Sequence, residues 1–384
     1  MVPYTDSLYF GLLLYPTIVA IALGVTGRLS WRWVLSITLA VVAFQYSRLQ
    51  LSASQTAVGN LGIVAAFVIV QWGVARGFLF LRRRGKDKAT FRVSIVAALL
   101  PLIAVKFLPS WSTSYVAFLG ISYVTFRGLD VIICIHDGLI TSLRAGQYLL
   151  FLLFFPTISA GPIDRYNRFV ADLARRRSRA EFLKDLDGAV HRLFRGLFYK
   201  FVLAALVKEF WLDRVADATG LTNVISYMYA YTFYLFFDFA GYSAFAIAFS
   251  YLLGIHTPEN FNRPFLATSI VDFWNRWHIS MSSWFRDHVY MRFIMASMRG
   301  RWFSSKVFAS SVAFYVSFGL MGLWHGFAAH YIVYGFYHAT LLTGSTITAR
   351  WWAQPATRPW KLVNILITFH LVSFGLLIFS GRLG

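Results

Sequence analysis

The stretch Ser269–Phe293 reads SIVDFWNRWHISMSSWFRDHVYMRF. It sets Asp272, Asn275, Arg276, His278, Arg286, Asp287 and His288 among Trp274, Trp277, Trp284 and three phenylalanines. The mixture is too polar to cross lipid and too aromatic for a plain solvated loop. Ser269 followed three residues later by Asp272 is a helix-start signature, which predicts a helix beginning near Ile270. On that helix Asn275, His278 and Ser282 would share one face. A second histidine stands in the apolar run Leu320-Met321-Gly322-Leu323-Trp324-His325-Gly326. The two histidines, each preceded by tryptophan and each in or beside the membrane, are read as meeting in one site. The rest of the chain then acts as a cage around them.

Composition supports a membrane cage. Of 384 residues, 58% are hydrophobic and only 14% are charged, whereas soluble domains carry about 25% charged residues. The chain reads as an all-α polytopic membrane protein. Its 38 Phe, 20 Tyr and 13 Trp suit interface belts and a lipid-facing wall. A net charge of +20 would suggest nucleic acid in a soluble chain. Here the basic residues form short clusters between apolar runs, so orientation in the membrane is the simpler account. A basic inner face could also receive an acidic partner. The single cysteine, Cys134, excludes an intramolecular disulfide and a cysteine-based metal site, and its apolar neighbours predict core packing.

A spanning helix needs about 20 apolar residues. Leu8–Gly24, Trp33–Tyr46, Leu61–Leu81 and Phe91–Leu108 are the first candidates, the second being short. No Lys or Arg precedes Leu8, which does not fit the basic start of a signal peptide and predicts an outward N-terminus. Alternation then puts Arg28, Arg32 and the cluster Arg82–Lys88 in the cytoplasm, as the positive-inside rule requires. Tyr115–Ile135 follows. Gln147–Ala160 is short and broken by Pro156, which predicts a re-entrant segment. Asp164 to Arg179 is strongly basic and reads as cytoplasmic, and Glu181 to Arg195 as an amphipathic surface helix leading into Leu197–Val207. Ser226–Leu253 carries Asp238, an acid that must face protein or water. Gly254–Arg301 is expected to be cytoplasmic and partly re-entrant. Val307–Leu323, Phe327–Thr346 and Leu362–Phe379 close the chain, with Arg350 to Lys361 between the last two. About ten or eleven spans are expected, in one domain over 1–384 with a catalytic core near 255–345.

His278 and His325 lead the candidates for chemistry, because a neutral imidazole suits proton transfer from a hydroxyl near neutral pH. The competing reading is a histidine bonded to a backbone carbonyl between helices. Gly322 and Gly326 flank His325 at a spacing that allows close backbone approach and a thin wall. Asn275 could hold either His278 or a substrate carbonyl. Trp274, Trp277, Ser282, Arg286 and Trp324 are expected to support the site. Asp272 and Arg276 are four apart and are expected to pair. Arg286 and Asp287 are adjacent, and the expectation is that they do not face each other but fix the helix to its neighbours. Asp238 reads as a polar anchor. Structural roles are expected for His136, His191, His256, His288, His330, His338 and His370. No metal site is expected, since neither H-E-x-x-H nor a Cys/His cluster occurs. G-x-S-x-G and phosphate-loop motifs are absent too.

Six segments together carry a family resemblance: Gly120–Phe126, Ser159–Tyr166, Asp238–Ser243, Asn260–Phe265, Asp272–Ser280 and Leu323–Gly326. The chain resembles the membrane-bound O-acyltransferases over nearly its whole length, and within them the DltB branch that serves D-alanyl transfer in teichoic-acid modification. Gly161–Tyr166 and Val289–Phe293 look more like that branch than like the alginate O-acetylation proteins, which share the Trp-His-Ile-Ser core. His288 departs from the pattern, where tyrosine is the family's residue. The resemblance implies that His325 is the catalytic histidine and His278 the second site residue. It implies a D-alanine donor held as a thioester on the phosphopantetheine of a small acidic, DltC-like carrier at the cytoplasmic face, with no cofactor bound by the chain itself. It implies an acceptor outside, a DltD-like membrane protein and a small DltX-like peptide as partners, and the bacterial cytoplasmic membrane as location. The alternatives are a polysaccharide O-acetyltransferase with another acyl donor and a non-enzymatic channel for an acyl-carrier arm. A pure scaffold would have no need of paired intramembrane histidines.

Overall fold

The computed structural model describes residues 3–48, 57–85, 88–107, 118–351 and 357–383. Lys86, Asp87, Leu108, Tyr115–Ala117 and residues 352–356, which belong to predicted spans or connections, lie outside them. Among the described residues the chain is helical, with one isolated antiparallel bridge, Phe261 to Trp277. Among the described residues six helices are long and apolar enough to cross a membrane: Ser7–Val25, Asn60–Arg83, Lys88–Lys106, Leu221–Leu252, Lys306–His325 and Arg358–Phe379. Each overlaps a span expected from hydropathy. The expected Trp33–Tyr46 is helical, and Ile121–His136 and Ala329–Trp351 cover the described helical parts of two further expected spans, but these three helices are shorter or less apolar. The protein is a multi-pass membrane protein.

The chain divides into two compact units, Met1–Phe194 with Tyr242–Pro258, and Arg195–Gly241 with Glu259–Gly384. The first is built on α1 (Ser7–Val25), α2 (Trp31–Arg48), α3 (Ala57–Arg83), α4 (Lys88–Phe107) and α5 (Ile121–His136). Then come α6 (Ala145–Leu153), α7 (Tyr166–Ala174) and the amphipathic α8 (Arg179–Leu197). The predicted re-entrant segment is α6, which stops at Leu153 and gives way to a single 3₁₀ turn, Phe155–Thr157. A helix broken in an apolar interior leaves carbonyls that water cannot reach. Arg127 on α5, 1% exposed, takes them: it donates to the carbonyls of Phe151 at 2.9 Å, Leu152 at 3.0 Å and Thr157 at 2.8 Å. Asp130, one turn on, receives the Tyr166 amide at 3.0 Å and Arg165 at 3.1 Å. A buried arginine thus fastens Phe151–Thr157 to α5, and a buried aspartate fastens Arg165 and Tyr166 to it.

The second unit holds the first part of α9 (Leu221–Leu252), α10 (Ile270–Trp274), α11 (Ile279–Phe285) and α12 (Met291–Gly300). The hairpin of α13 (Lys306–His325) and α14 (Ala329–Trp351) follows, then α15 (Arg358–Phe379). Asp238 on α9 is ion-paired with the buried Lys200, so the acid faces protein as its cost in lipid demands. Glycines let the α13–α14 hairpin close. A methyl group on Gly322 would strike the Tyr331 carbonyl oxygen, and one on Gly335 the Phe318 carbonyl oxygen. Backbone lies directly on backbone at both crossings.

Candidate active site

The predicted helix start is observed: Ser269 accepts a hydrogen bond from the Asp272 amide at 3.1 Å. The single helix expected beyond it is not. α10 ends after five residues at Trp274, with Asn275 as its cap, and His278 stands at φ 43°, ψ 49°. A left-handed residue cannot continue a right-handed helix, and for a residue with a Cβ that conformation costs about 1–2 kcal/mol. Tertiary hydrogen bonds hold it there. The Asn262 amide donates to the Arg276 carbonyl at 2.9 Å and the Ile279 amide to the Asn260 carbonyl at 3.0 Å. These bonds engage the backbone groups at 276 and 279 that a continuous helix would have used. Asn275, His278 and Ser282 therefore do not share one helix face.

The break turns His278 inward. It is 4% exposed, with its ring edge-on to Phe239 at 4.8 Å. Its Nδ1 has no hydrogen-bond partner among the described residues. Burial, aided by the nearby His325, pushes its pKa down to about 3, so it is neutral at physiological pH. His325 is the last residue of α13 and is half-buried. Its ring meets Trp324 at 4.5 Å, Phe379 at 4.8 Å and Tyr331 at 5.8 Å. Gly326 follows in extended conformation and ends the helix at the histidine. One imidazole is thus sealed and neutral, and the other is accessible at a helix end against aromatic walls. That pair can hold and move a proton and can steady a carbonyl oxygen.

A profile of the membrane-bound O-acyltransferase family matches residues 95–382. The chain belongs to that family. It is accordingly an acyltransferase. It is 38% identical to the teichoic acid D-alanyltransferase of Bacillus subtilis (strain 168), covering 100% of this chain and 98% of that protein. Identity to the teichoic acid D-alanyltransferase of Streptococcus thermophilus is 36%, over 99% of this chain and 95% of that one. A probable alginate O-acetylase of Pseudomonas aeruginosa is 31% identical over 62% of this chain and 43% of its own length.

In this acyltransferase the expected supporting residues separate into two groups. Trp274, Asn275, Ser282 and Arg286 line an apolar cavity of about 190 Å³ with Phe314, Phe318 and Met321. Neither histidine lines it. Trp277 instead packs beneath the bridge, parallel to Phe273 at 5.5 Å and edge-on to Phe261 at 5.1 Å, and Trp324 lies against His325. Asn275 is exposed and its side chain bonds to nothing among the described residues, so it does not hold His278. Asp272 and Arg276 pair as expected, at 2.7 Å. Arg286 and Asp287 correct the sequence reading: they pair with each other at 3.0 Å on the exposed surface. The backbone there winds in a wide π-type turn, Arg286–Tyr290, so ordinary α-helical neighbour geometry does not apply.

Asn260 opens the Asn260–Phe265 segment, and the sequence alone assigns it no role. Asn260 is fully buried. Its carbonyl holds the residue after His278, and its Oδ1 accepts the Ser280 hydroxyl at 2.6 Å. No local signal announces a residue that works across a gap in the chain. Among the remaining histidines, His256, His191 and His370 have hydrogen-bonding partners, whereas neither ring nitrogen of the buried His338 has one among the described residues. His256 meets Asp185 at 2.8 Å, His191 the Asp187 carbonyl at 2.9 Å and His370 the Leu366 carbonyl at 2.7 Å. His338 is fully buried edge-on to Trp274 at 5.0 Å, behind the cavity wall.

Proposed function

We propose that this acyltransferase moves D-alanine onto a hydroxyl of teichoic acid, with His325 as general base. The donor in this reading is a D-alanyl thioester on the phosphopantetheine arm of a cytoplasmic carrier protein, and the acceptor lies outside. The observation that carries it is two imidazoles from distant segments, one kept neutral by burial with some influence of the other's charge, and that other left accessible at a helix end. Full-length similarity to proteins named teichoic acid D-alanyltransferases supports the choice of acyl group over acetate, because the alginate relatives match only part of the chain.

The chemistry runs as follows. His325 accepts the proton of the acceptor hydroxyl as its oxygen attacks the thioester carbonyl carbon. The C–S bond of the tetrahedral intermediate then breaks, the new ester is released, and the thiolate takes the proton back from His325. In this reading His278, neutral and buried, donates one N–H toward the oxyanion or orients His325. General-base help of this kind is worth about 10²–10⁴-fold. The test is transfer from a charged carrier to teichoic acid by wild type and His325→Ala at matched protein level. Loss of mild-base-releasable D-alanine of that size is expected. Retained D-alanylation would remove the mechanism, and acetate in place of D-alanine among the released products would favour O-acetylation.

A further inference from the structure

The first unit contains a second concave site, of about 540 Å³, remote in sequence from either catalytic histidine. It lies where α1 ends and α2 begins, against the start of α8. Gly24, Arg28 and Trp31 form one wall, Arg176 and Arg177 another, and Phe182 packs at its base against Gly24. Arg28 and Arg176 are exposed and make no ion pair among the described residues. Arg177 sits on the wall with its side chain 11% exposed. Its Nε pairs with Asp185 at 3.2 Å, while its buried Nη2 stands 4.0 Å from Asp172 Oδ1, too far for a hydrogen bond, and makes none elsewhere. A buried guanidinium nitrogen left without an acceptor is costly unless something else supplies one. The one acid on the wall, Asp172, is already engaged by Arg168 at 3.5 Å, Arg177 at 4.0 Å and the His256 amide at 2.8 Å.

We propose that this cavity binds the phosphate headgroup of an anionic phospholipid. Three arginines with unspent donors around a concave site fit a phosphate, which guanidinium groups recognise in two-point fashion. The depth is that of a headgroup, because the cavity opens at the end of a helix long and apolar enough to span the bilayer. Trp31 stands at the same level, where tryptophan belongs. The amphipathic α8 exposes Leu183, Val190 and Phe194 for the acyl chains beside it. A folded acidic protein is the poorer fit, since a stable protein contact needs a broad surface of about 800 Å² per partner rather than a cleft. The inference is independent of the transfer mechanism.

Each basic side chain near an anionic surface is worth about a fivefold preference. Arg28→Gln with Arg176→Gln should therefore cut the retention of phosphatidylglycerol over phosphatidylcholine roughly 25-fold. The measurement is native mass spectrometry of the full chain from nanodiscs holding both lipids. Arg92→Gln with Arg299→Gln removes the same charge elsewhere and should keep the preference. Four outcomes would overturn the site: no preference in wild type; equal loss in the control pair; displacement of the lipid by millimolar inorganic phosphate, which would mark a free-phosphate site; or loss of carrier-protein binding by the Arg28/Arg176 glutamine pair with lipid preference unchanged.

Discussion

Gly322 sits one turn before His325, where α13 crosses the backbone of α14. A methyl group placed there would overlap the Tyr331 carbonyl oxygen and stand 3.2 Å from its carbonyl carbon and 3.4 Å from the Ile332 Cα. Comfortable carbon contacts lie at about 3.5–4.0 Å, so Gly322→Ala must part the two helices by roughly 1 Å. None of the opposing atoms belongs to a side chain that could swing away. Overpacking of this sort costs about 1–3 kcal/mol. Because His325 ends the same helix, a shift near 1 Å also predicts a rate loss on the order of 10²-fold. Gly319→Ala is the internal control. Its methyl would meet only the Phe336 ring, at 3.3 and 3.9 Å, and a ring can turn. Alanine also gains about 0.8–1.0 kcal/mol of helix propensity over glycine. Thermal unfolding and D-alanyl transfer should therefore fall for Gly322→Ala and hold or improve for Gly319→Ala. A Gly322→Ala protein as stable and active as wild type, or two variants equally damaged, would refute the argument that backbone contact sets the position of His325.

Acid should weaken the protein through His278. Its folded pKa is pushed down to about 3, while an unfolded imidazole titrates near 6.5. Between those values the unfolded chain binds the extra proton, so stability is full above about 6.5 and drains away as pH falls. His278→Gln should flatten the acid limb of a melting-temperature profile, and an unchanged slope would contradict the assignment. Asp238→Asn should strand the Lys200 ammonium, whose side chain is 8% exposed, although Asp238 itself is 36% exposed. Partial solvation brings the expected loss to roughly 1–3 kcal/mol. Pairing it with Lys200→Met should recover most of that loss, and failure to do so would mean that Asp238 has another partner.

Much of this was legible in the residues. Among the described residues, hydropathy located every helix that is long and apolar enough to cross a membrane, because that signal is carried by composition within one segment. Ser269 and Asp272 announced a helix start, and the Asp272–Arg276 pair followed from spacing, since both are contacts within a turn. The prohibitive cost of an acid in lipid required a partner for Asp238, but Lys200, 38 positions earlier, came only from the fold. Tertiary structure alone placed His278. Its left-handed backbone contradicts local propensity and exists because Asn260 and Asn262 engage backbone groups on either side of it. Arg127 is a parallel case: a charge buried in an apolar helix looks prohibitive until the broken end of α6 supplies the carbonyls it satisfies. Sequence determined which segments enter the membrane and which residue types carry chemistry. Where each imidazole stands depended on hydrogen bonds and glycine contacts between segments far apart in the chain, and no local pattern encodes these.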